Sequence, residues 1–170
     1  MRFSLLPDWI AGSVTELTPE LLSSGGIRLL MLDFDNTVAP YTTDVPTEAM
    51  CRWLEELRRA GIQVCVVSNS KKDRVRSFCR QYGLGCVTNA KKPFSRGIRE
   101  CLRQYGIPPE GCALAGDQIF TDTLGANRVG VRSILVKAIH NRNFWLKARH
   151  VLELPFSFMA RKRRIDNEKP

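Results

Sequence analysis

Histidine is scarce in this sequence, with two among 170 residues. Neither stands near clustered cysteines at metal-ligand spacing, so the chain offers no structural zinc site. There is no C-x-x-C pair among the six cysteines, at 51, 65, 79, 86, 101 and 112. Cys51, Cys65, Cys79 and Cys101 stand among apolar residues in helix-like or strand-like stretches. Buried reduced thiols in a reducing, cytosolic compartment are the expectation. No apolar run approaches the ~18–20 residues of a spanning helix. The N-terminal apolar stretch is broken by Pro7 and Asp8, which makes a poor signal peptide. Repeats and low-complexity linkers are absent. With 44% hydrophobic and 25% charged residues, collagen-like, disordered and multi-pass membrane classes are excluded.

What the chain has in excess is positive charge, net +9 from 26 basic and 17 acidic residues. Residues 137–170 hold 9 of the basic and 3 of the acidic residues, two thirds of that excess. A basic tail on a near-neutral body suits an anionic partner, a membrane surface or a nucleic acid. A solvated tail is the plainer reading of the same charge. The length fits one domain over 1–170 with a self-sufficient core. Its body is about 27–136, between an N-terminal flank, 1–26, and the aromatic–basic tail, 137–170.

Hydrophobic pattern gives alternating strands and helices. Strands are expected at Ile27–Asp33, Ile62–Val67, Gly85–Thr88, Cys112–Gly116 and Val131–Val136. One helix starts at Thr47, presents Met50, Trp53, Leu54, Leu57 and Ala60, and ends at Gly61. Others cover Asp73–Tyr82, Phe94–Tyr105 and Asp122–Val129, each followed by a glycine. A short helix opens at Thr18-Pro19-Glu20, and an amphipathic one is expected over 143–154. Strands joined by single helices pair in parallel. The expected architecture is an α/β, three-layer domain around a mainly parallel five-stranded sheet.

Ligands of open α/β sheets bind beyond the carboxyl ends of the strands, where polar residues gather here. The first strand ends in Asp33-Phe34-Asp35-Asn36-Thr37, two carboxylates able to hold a hard cation and present a nucleophilic oxygen. The second ends in Ser68-Asn69-Ser70, a source of hydroxyl and backbone donors for an anion. Lys91-Lys92-Pro93 follows the third. The fourth ends in Gly116-Asp117, with Asp122 shortly after. Each feature alone fits a turn or cap. Their order and shared placement at strand ends give them weight.

The motifs D-F-D-N-T, V-V-S-N-S, K-K-P and G-D-Q-I-F-T-D resemble those of the haloacid dehalogenase (HAD) superfamily over about residues 27–136. LLPDWIAGSVTELTPELL, LDFDNTVAPY, AKKP and GDQIFTDTLGANRVG extend the resemblance to the YqeG-type subfamily IIIA phosphatases. Mitochondrial phosphatidylglycerophosphate phosphatase belongs to the same group. The resemblance implies a three-layer Rossmann-like fold and phosphomonoester hydrolysis through an aspartyl-phosphate. It implies Asp33 as nucleophile and Asp35 as general acid and base. Ser68 and backbone N–H groups around Asn69 would bind phosphoryl oxygens. Lys92, or Lys91 as fallback, would neutralise Asp33 and phosphate together. Mg²⁺ would lie against Asp33, the backbone carbonyl of Asp35 and Asp117. Asp122 would orient Lys92 or a metal-bound water, its plainer role being a helix N-terminal charge. Thr37 would hold the first loop and border the phosphate, or simply cap it.

The spacings from Asp35 to Ser68 and from Ser68 to Lys92 are each used up by one helix and one strand, leaving no room for a cap domain. An open site suits a large substrate, with water excluded by the substrate or a partner. Trp9, Phe144, Trp145, Phe156 and Phe158 with interleaved Arg and Lys suit a peripheral membrane enzyme on the inner, cytoplasmic face. Completion of the core is the alternative role for these aromatics. The resemblance favours phosphatidylglycerophosphate, an anionic phospholipid head group. The competing readings are a soluble phosphatase for a sugar phosphate or nucleotide, and a nucleic-acid or ribosome-binding module with a vestigial site. The intact set of carboxylates, serine and lysine argues against the last. Tyr41, Thr42 and Asp44 border the entrance or form a plain loop.

Overall fold

The computed structural model describes residues 3–38, 45–71 and 73–139. The expected helix at 143–154, the aromatic–basic tail, and Tyr41, Thr42 and Asp44 lie outside these residues. The strands are β1 (Trp9–Ala11), β2 (Leu29–Leu32), β3 (Gln63–Val67), β4 (Gly85–Val87), β5 (Cys112–Gly116) and β6 (Arg132–Val136). The helices are α1 (Pro19–Ser24), α2 (Glu48–Arg59), α3 (Asp73–Gln81), α4 (Arg96–Tyr105) and α5 (Leu124–Val129). Thr18 Oγ1 accepts from Leu21 N and Thr47 Oγ1 from Met50 N, which fixes the starts of α1 and α2. At the other end of α4, Gly106 takes φ 63°, the left-handed turn that a side chain would resist.

All strand pairs are parallel, in the order β1-β6-β5-β2-β3-β4. The central β2, Leu29-Leu30-Met31-Leu32, is buried throughout, as a parallel strand covered on both faces must be. Its side chains alternate between two cores. Leu30 and Leu32 join Val66, Ala113 and Ala115 beneath α2 and α3, with Val14, Leu17 and Leu22 from the N-terminal flank. Leu29 and Met31 join Cys65, Val67 and Leu114 beneath Ile98 and Cys101 of α4 and Ala126 of α5. The three layers follow from this alternation. Trp53 Nε1 donates to Leu17 O at 2.8 Å, so the buried indole also ties the flank to α2.

The sheet has six strands where the sequence pattern predicts five. The extra strand, β1, is held by a buried polar network. Asp8 N donates to Ser133 O at 2.9 Å, and Ser133 N donates to Asp8 Oδ2 at 3.0 Å. The Ser133 hydroxyl lies 3.1 Å from Asp8 Oδ2 and 2.9 Å from Asn127 Oδ1, with one proton to share. Asn127 Nδ2 reaches Ser4 O at 2.7 Å and Leu6 O at 3.1 Å. Trp9 is half-buried on the sheet edge, with the Arg132 guanidinium 4.6 Å over its ring. Trp9 therefore packs on the body instead of standing out as an apolar wedge. Ala60, expected inward, is exposed because it ends α2 at the turn. All six cysteines are free thiols; Cys112 is buried, and Cys51 only half so, reversing the expected burial of Cys51.

Between β2 and α2 the described chain has no helix, and between β3 and β4 it has only α3. No cap layer is inserted at either place among the described residues. No described helix is long and apolar enough to cross a membrane.

Candidate active site

The residues after β2, β3, β4 and β5 converge at the carboxyl edge of the sheet. Asp33 continues β2, its N–H donating to Ala115 O at 2.9 Å. Asn36, at φ 61°, turns the chain out of the strand, in a region that asparagine tolerates better than most residues. Beyond β4, Asn89 at φ 54° and Lys91 at φ 56° bend the loop sharply. The bend leaves Lys91 exposed and sends Lys92 inward, 4% exposed. Of the two lysines, Lys92 is the one brought to the carboxylates. Asn69 clamps Lys92 in place through both halves of its amide. Its Oδ1 accepts from Lys92 N at 2.6 Å, and its Nδ2 donates to Lys92 O at 2.9 Å. The Asn69 side chain is thus committed to the lysine loop.

Lys92 Nζ lies 2.6 Å from Asp33 Oδ1 and 2.7 Å from Asp122 Oδ1. Of the two roles expected for Asp122, this geometry matches the orientation of Lys92. The other Asp122 oxygen accepts from Gln118 N at 3.2 Å. Gly116 makes the approach possible, because a Cβ there would collide with the Asp122 carboxylate. Ser68 is buried, and its Oγ accepts from Ser70 N at 3.0 Å. The Thr37 hydroxyl is buried without a partner among the described residues, while its N–H closes on Phe34 O at 3.4 Å.

Electrostatics at the site are unbalanced. Burial, opposed by Lys92 and reinforced by Asp122, raises the Asp33 pKa to about 6. Burial, with Asp33 and Asp122 close by, raises Asp117 to about 8. Burial works to lower Lys92, but Asp122 and Asp33 outweigh it and hold the ammonium above its usual range. One carboxylate oxygen each from Asp33, Asp117 and Asp122 lies within 4.8 Å of the others. Asp117 Oδ1 is buried with no hydrogen-bond partner among the described residues. An all-oxygen set with an unanswered carboxylate oxygen fits a hard divalent cation. Asp35, placed with these three from sequence, does not bring its side chain into the group; its Oδ1 lies 3.0 Å from Arg74 Nη2. Its contribution to that cation would be its backbone carbonyl, as the motif resemblance implies.

Arg74 was invisible from sequence. It reads as an ordinary helix charge in the first turn of α3. In the structure its Nη2 lies 3.0 Å from Asp35 Oδ1, with both side chains largely buried. Its guanidinium also sits 5.1 Å over the Phe34 ring, and Phe34 packs edge-on against Phe78 of the same helix. The aromatic pair fixes where the guanidinium lies.

Comparison with known proteins agrees with this arrangement. Residues 14–130 match the family model for haloacid dehalogenase-like hydrolases. The probable phosphatase YqeG of Bacillus subtilis is 34% identical over 131 residues, covering 77% of this chain and 76% of its own. The glyceraldehyde 3-phosphate phosphatase of Pyrococcus furiosus is 21% identical, over 72% of this chain and 52% of its own. In fold, the chain resembles the cobalt-bound deoxy-D-mannose-octulosonate 8-phosphate phosphatase of Haemophilus influenzae. That match has TM-score 0.54 and 15% identity, covering 76% of this chain and 89% of the other. With the six-stranded parallel sheet and the site at its carboxyl edge, these matches place the chain in the haloacid dehalogenase-like hydrolase family, as a phosphatase of the YqeG type.

Proposed function

We propose that the chain is a Mg²⁺-dependent phosphomonoesterase that works through an aspartyl-phosphate on Asp33, with a phospholipid head group as substrate. The observation that carries the chemistry is Lys92 Nζ bridging Asp33 and Asp122 in a buried cluster that also holds Asp117. Two carboxylates on one buried ammonium with a third carboxylate beside them have no structural economy, since burying charge is costly unless it is paired. They suit a site completed by a cation and a phosphate.

Asp33, Asp117 and the Asp35 carbonyl would hold Mg²⁺, with Asp122 as the third carboxylate of the cluster. When bound, the ion supplies positive charge that screens one anion from another and stabilises the transferring phosphoryl group. The cobalt-bound phosphatase of similar fold supports a divalent ion in such a site. Lys92 keeps Asp33 ionised and draws the phosphate to it. Asp33 attacks phosphorus in line and the alcohol leaves. Asp35 gives that alcohol a proton, then takes one from the water that hydrolyses the intermediate. Ser68 and the backbone at Asn69 bind phosphoryl oxygens, and Thr37 supports the first loop.

The lipid reading rests on the open mouth and on what surrounds it. The exposed large apolar residues include Val45, Phe94 and Ile139. Each lies on the carboxyl side of the sheet, after β2, β4 and β6 respectively. Lys71, Lys91 and Lys137 are exposed on the same side. Apolar tips among lysines suit an anionic bilayer, at about 1 kcal/mol per basic residue near its surface. The basic tail adds to this. Phosphatidylglycerophosphate, dephosphorylated to phosphatidylglycerol at the inner membrane face, fits both the subfamily resemblance and this rim. Phosphate release with Mg²⁺ should be measured on vesicles carrying phosphatidylglycerophosphate and on a panel of sugar phosphates, nucleotides and glyceraldehyde 3-phosphate. The expected result is preference for the vesicle substrate, lost when Phe94 and Val45 become serine. Preference for a soluble ester, with no vesicle binding at physiological salt, would establish a soluble phosphatase instead.

A further inference from the structure

We infer that the outer face of α4 is a bilayer-docking surface, with Arg96, Arg99 and Arg103 seated on lipid phosphates. The inference rests on the membrane reading of the open site and deepens it, by naming the side of the molecule that turns to the bilayer. The three arginines recur at i, i+3 and i+7, so they share one stripe about 10 Å long. All are exposed, while the other face of the helix buries Ile98 and Cys101. With Leu102 they line a shallow hollow of about 460 Å³. The helix carries a single acidic residue, Glu100. None of the three guanidinium groups pairs with it, or with any other carboxylate, among the described residues.

The helices on the other face of the sheet differ. On α2, Arg52 pairs with Glu48 at 3.2 Å, and Arg58 and Arg59 pair with Glu55 at 3.5 and 3.8 Å. On α3, Arg76 Nη2 lies 3.1 Å from the Thr88 hydroxyl, and Arg80 Nη2 lies 3.4 Å from Ser77 Oγ. Those surfaces answer their own arginines; α4 does not. An unmatched guanidinium stripe is complementary to a plane of phosphates, which guanidinium meets bidentately. The stripe also continues from the site. Helix α4 starts at Arg96, shortly after Lys92, so its first turn stands at the mouth. Phe94, 66% exposed, lies between the two. An exposed ring beside the arginines favours a bilayer over a nucleic acid, since the ring enters the acyl boundary while the cations stay with the head groups. The molecule then leans on its α4 side, with the paired charges of α2 turned to water.

Two double variants of equal charge separate position from charge. Arg99→Gln with Arg103→Gln takes two cations from the stripe, and Arg52→Gln with Arg59→Gln takes two from α2. Glutamine has nearly the helix propensity of arginine, so both should fold. Binding is read by co-sedimentation at physiological salt with phosphatidylcholine vesicles containing one third phosphatidylglycerol. The α4 pair should weaken it about thirtyfold, near fivefold per arginine, and the α2 pair less than about twofold. Mg²⁺-dependent hydrolysis of p-nitrophenyl phosphate should match the parent in both. If the α4 pair melts early, single Arg99→Gln and Arg103→Gln variants carry the comparison against Arg52→Gln. Equal losses from the two faces, or no loss from α4, would overturn the inference and leave the membrane reading intact. No binding of the parent to these vesicles would overturn both. Preference of the parent for an oligonucleotide over the vesicles, lost in the α4 pair, would assign the stripe to nucleic acid and overturn the inference. Vesicle binding through α4 with phosphate release from soluble esters alone would keep the docking surface and overturn the lipid substrate.

Discussion

Two polar clusters are buried at opposite ends of the same sheet, and they are built differently. At the amino end, Asp8, Ser133 and Asn127 match donors to acceptors: one carboxylate meets a backbone N–H and a hydroxyl, and one amide spans two carbonyls. No side-chain atom of the three is left buried without a partner. At the carboxyl end, Asp33 and Asp122 share one ammonium, and the Oδ1 of Asp117 beside them has no partner among the described residues. Burial raises two of those carboxyl groups far above their usual range. The first cluster closes on itself and holds an edge strand. The second leaves a buried carboxylate oxygen without a partner among the described residues, as the proposed cation and phosphate site requires. Satisfaction of hydrogen bonds, more than burial or charge count, separates a structural cluster from a reactive one.

The contrast can be broken by removing one group at a time. Asp33→Asn should lower Mg²⁺-dependent phosphate release by at least about a thousandfold while circular dichroism stays unchanged. Near-full activity in that variant would remove the carboxyl-end cluster from the chemistry. Lys92→Met removes the buried ammonium that bridges Asp33 and Asp122 and should cost about 3–5 kcal/mol in denaturant melts. An unchanged midpoint would mean that the carboxylates do not depend on it. Asn127→Ala should cost less, about 1–3 kcal/mol, by orphaning Ser4 O and Leu6 O. Its activity per folded molecule should be that of the parent. Loss of activity at full stability would show that the amino end is more than structural.

Smaller in size is an effect of pH on the metal-free chain. Asp33 and Asp117 have folded pKa values, about 6 and about 8, above the ordinary carboxylate 3.8. The folded state therefore binds more protons than the unfolded one between these values, and stability falls as pH rises through that window. Lys92 stays charged throughout and adds no slope there. Asp117→Asn should flatten the fall, and Mg²⁺ should restore stability most at the alkaline end, where the carboxylates are already ionised. A slope identical in parent and variant would contradict the assignment of Asp117.

Most of the body was legible because its elements carry their own signals. The buried strand Leu29–Leu32, the capping Thr18 and Thr47, and the glycines after α4 and α5 are local patterns. The candidate site was legible because its residues follow strand ends in a recognisable order. Three features were not. Strand β1 is short, and its pairing depends on Asp8 meeting Ser133, far along the chain. Arg74 carries no local mark of its contact with Asp35, which arises only when α3 packs beside the β2 loop. The clamp of the Asn69 side chain on the backbone of Lys92, 23 positions on, left no local mark either. Each of these depends on contacts between residues distant in sequence, which periodicity and capping rules do not encode.

The central claim is that Asp33 accepts the phosphoryl group. The direct measurement is rapid acid quench during turnover with Mg²⁺, followed by peptide mass spectrometry of the segment containing Asp33 and Asp35. One phosphoryl group on Asp33, absent from Asp33→Asn, is the predicted result. Steady phosphate release with no phosphoryl group on that peptide, or with the group on another residue, would contradict the account.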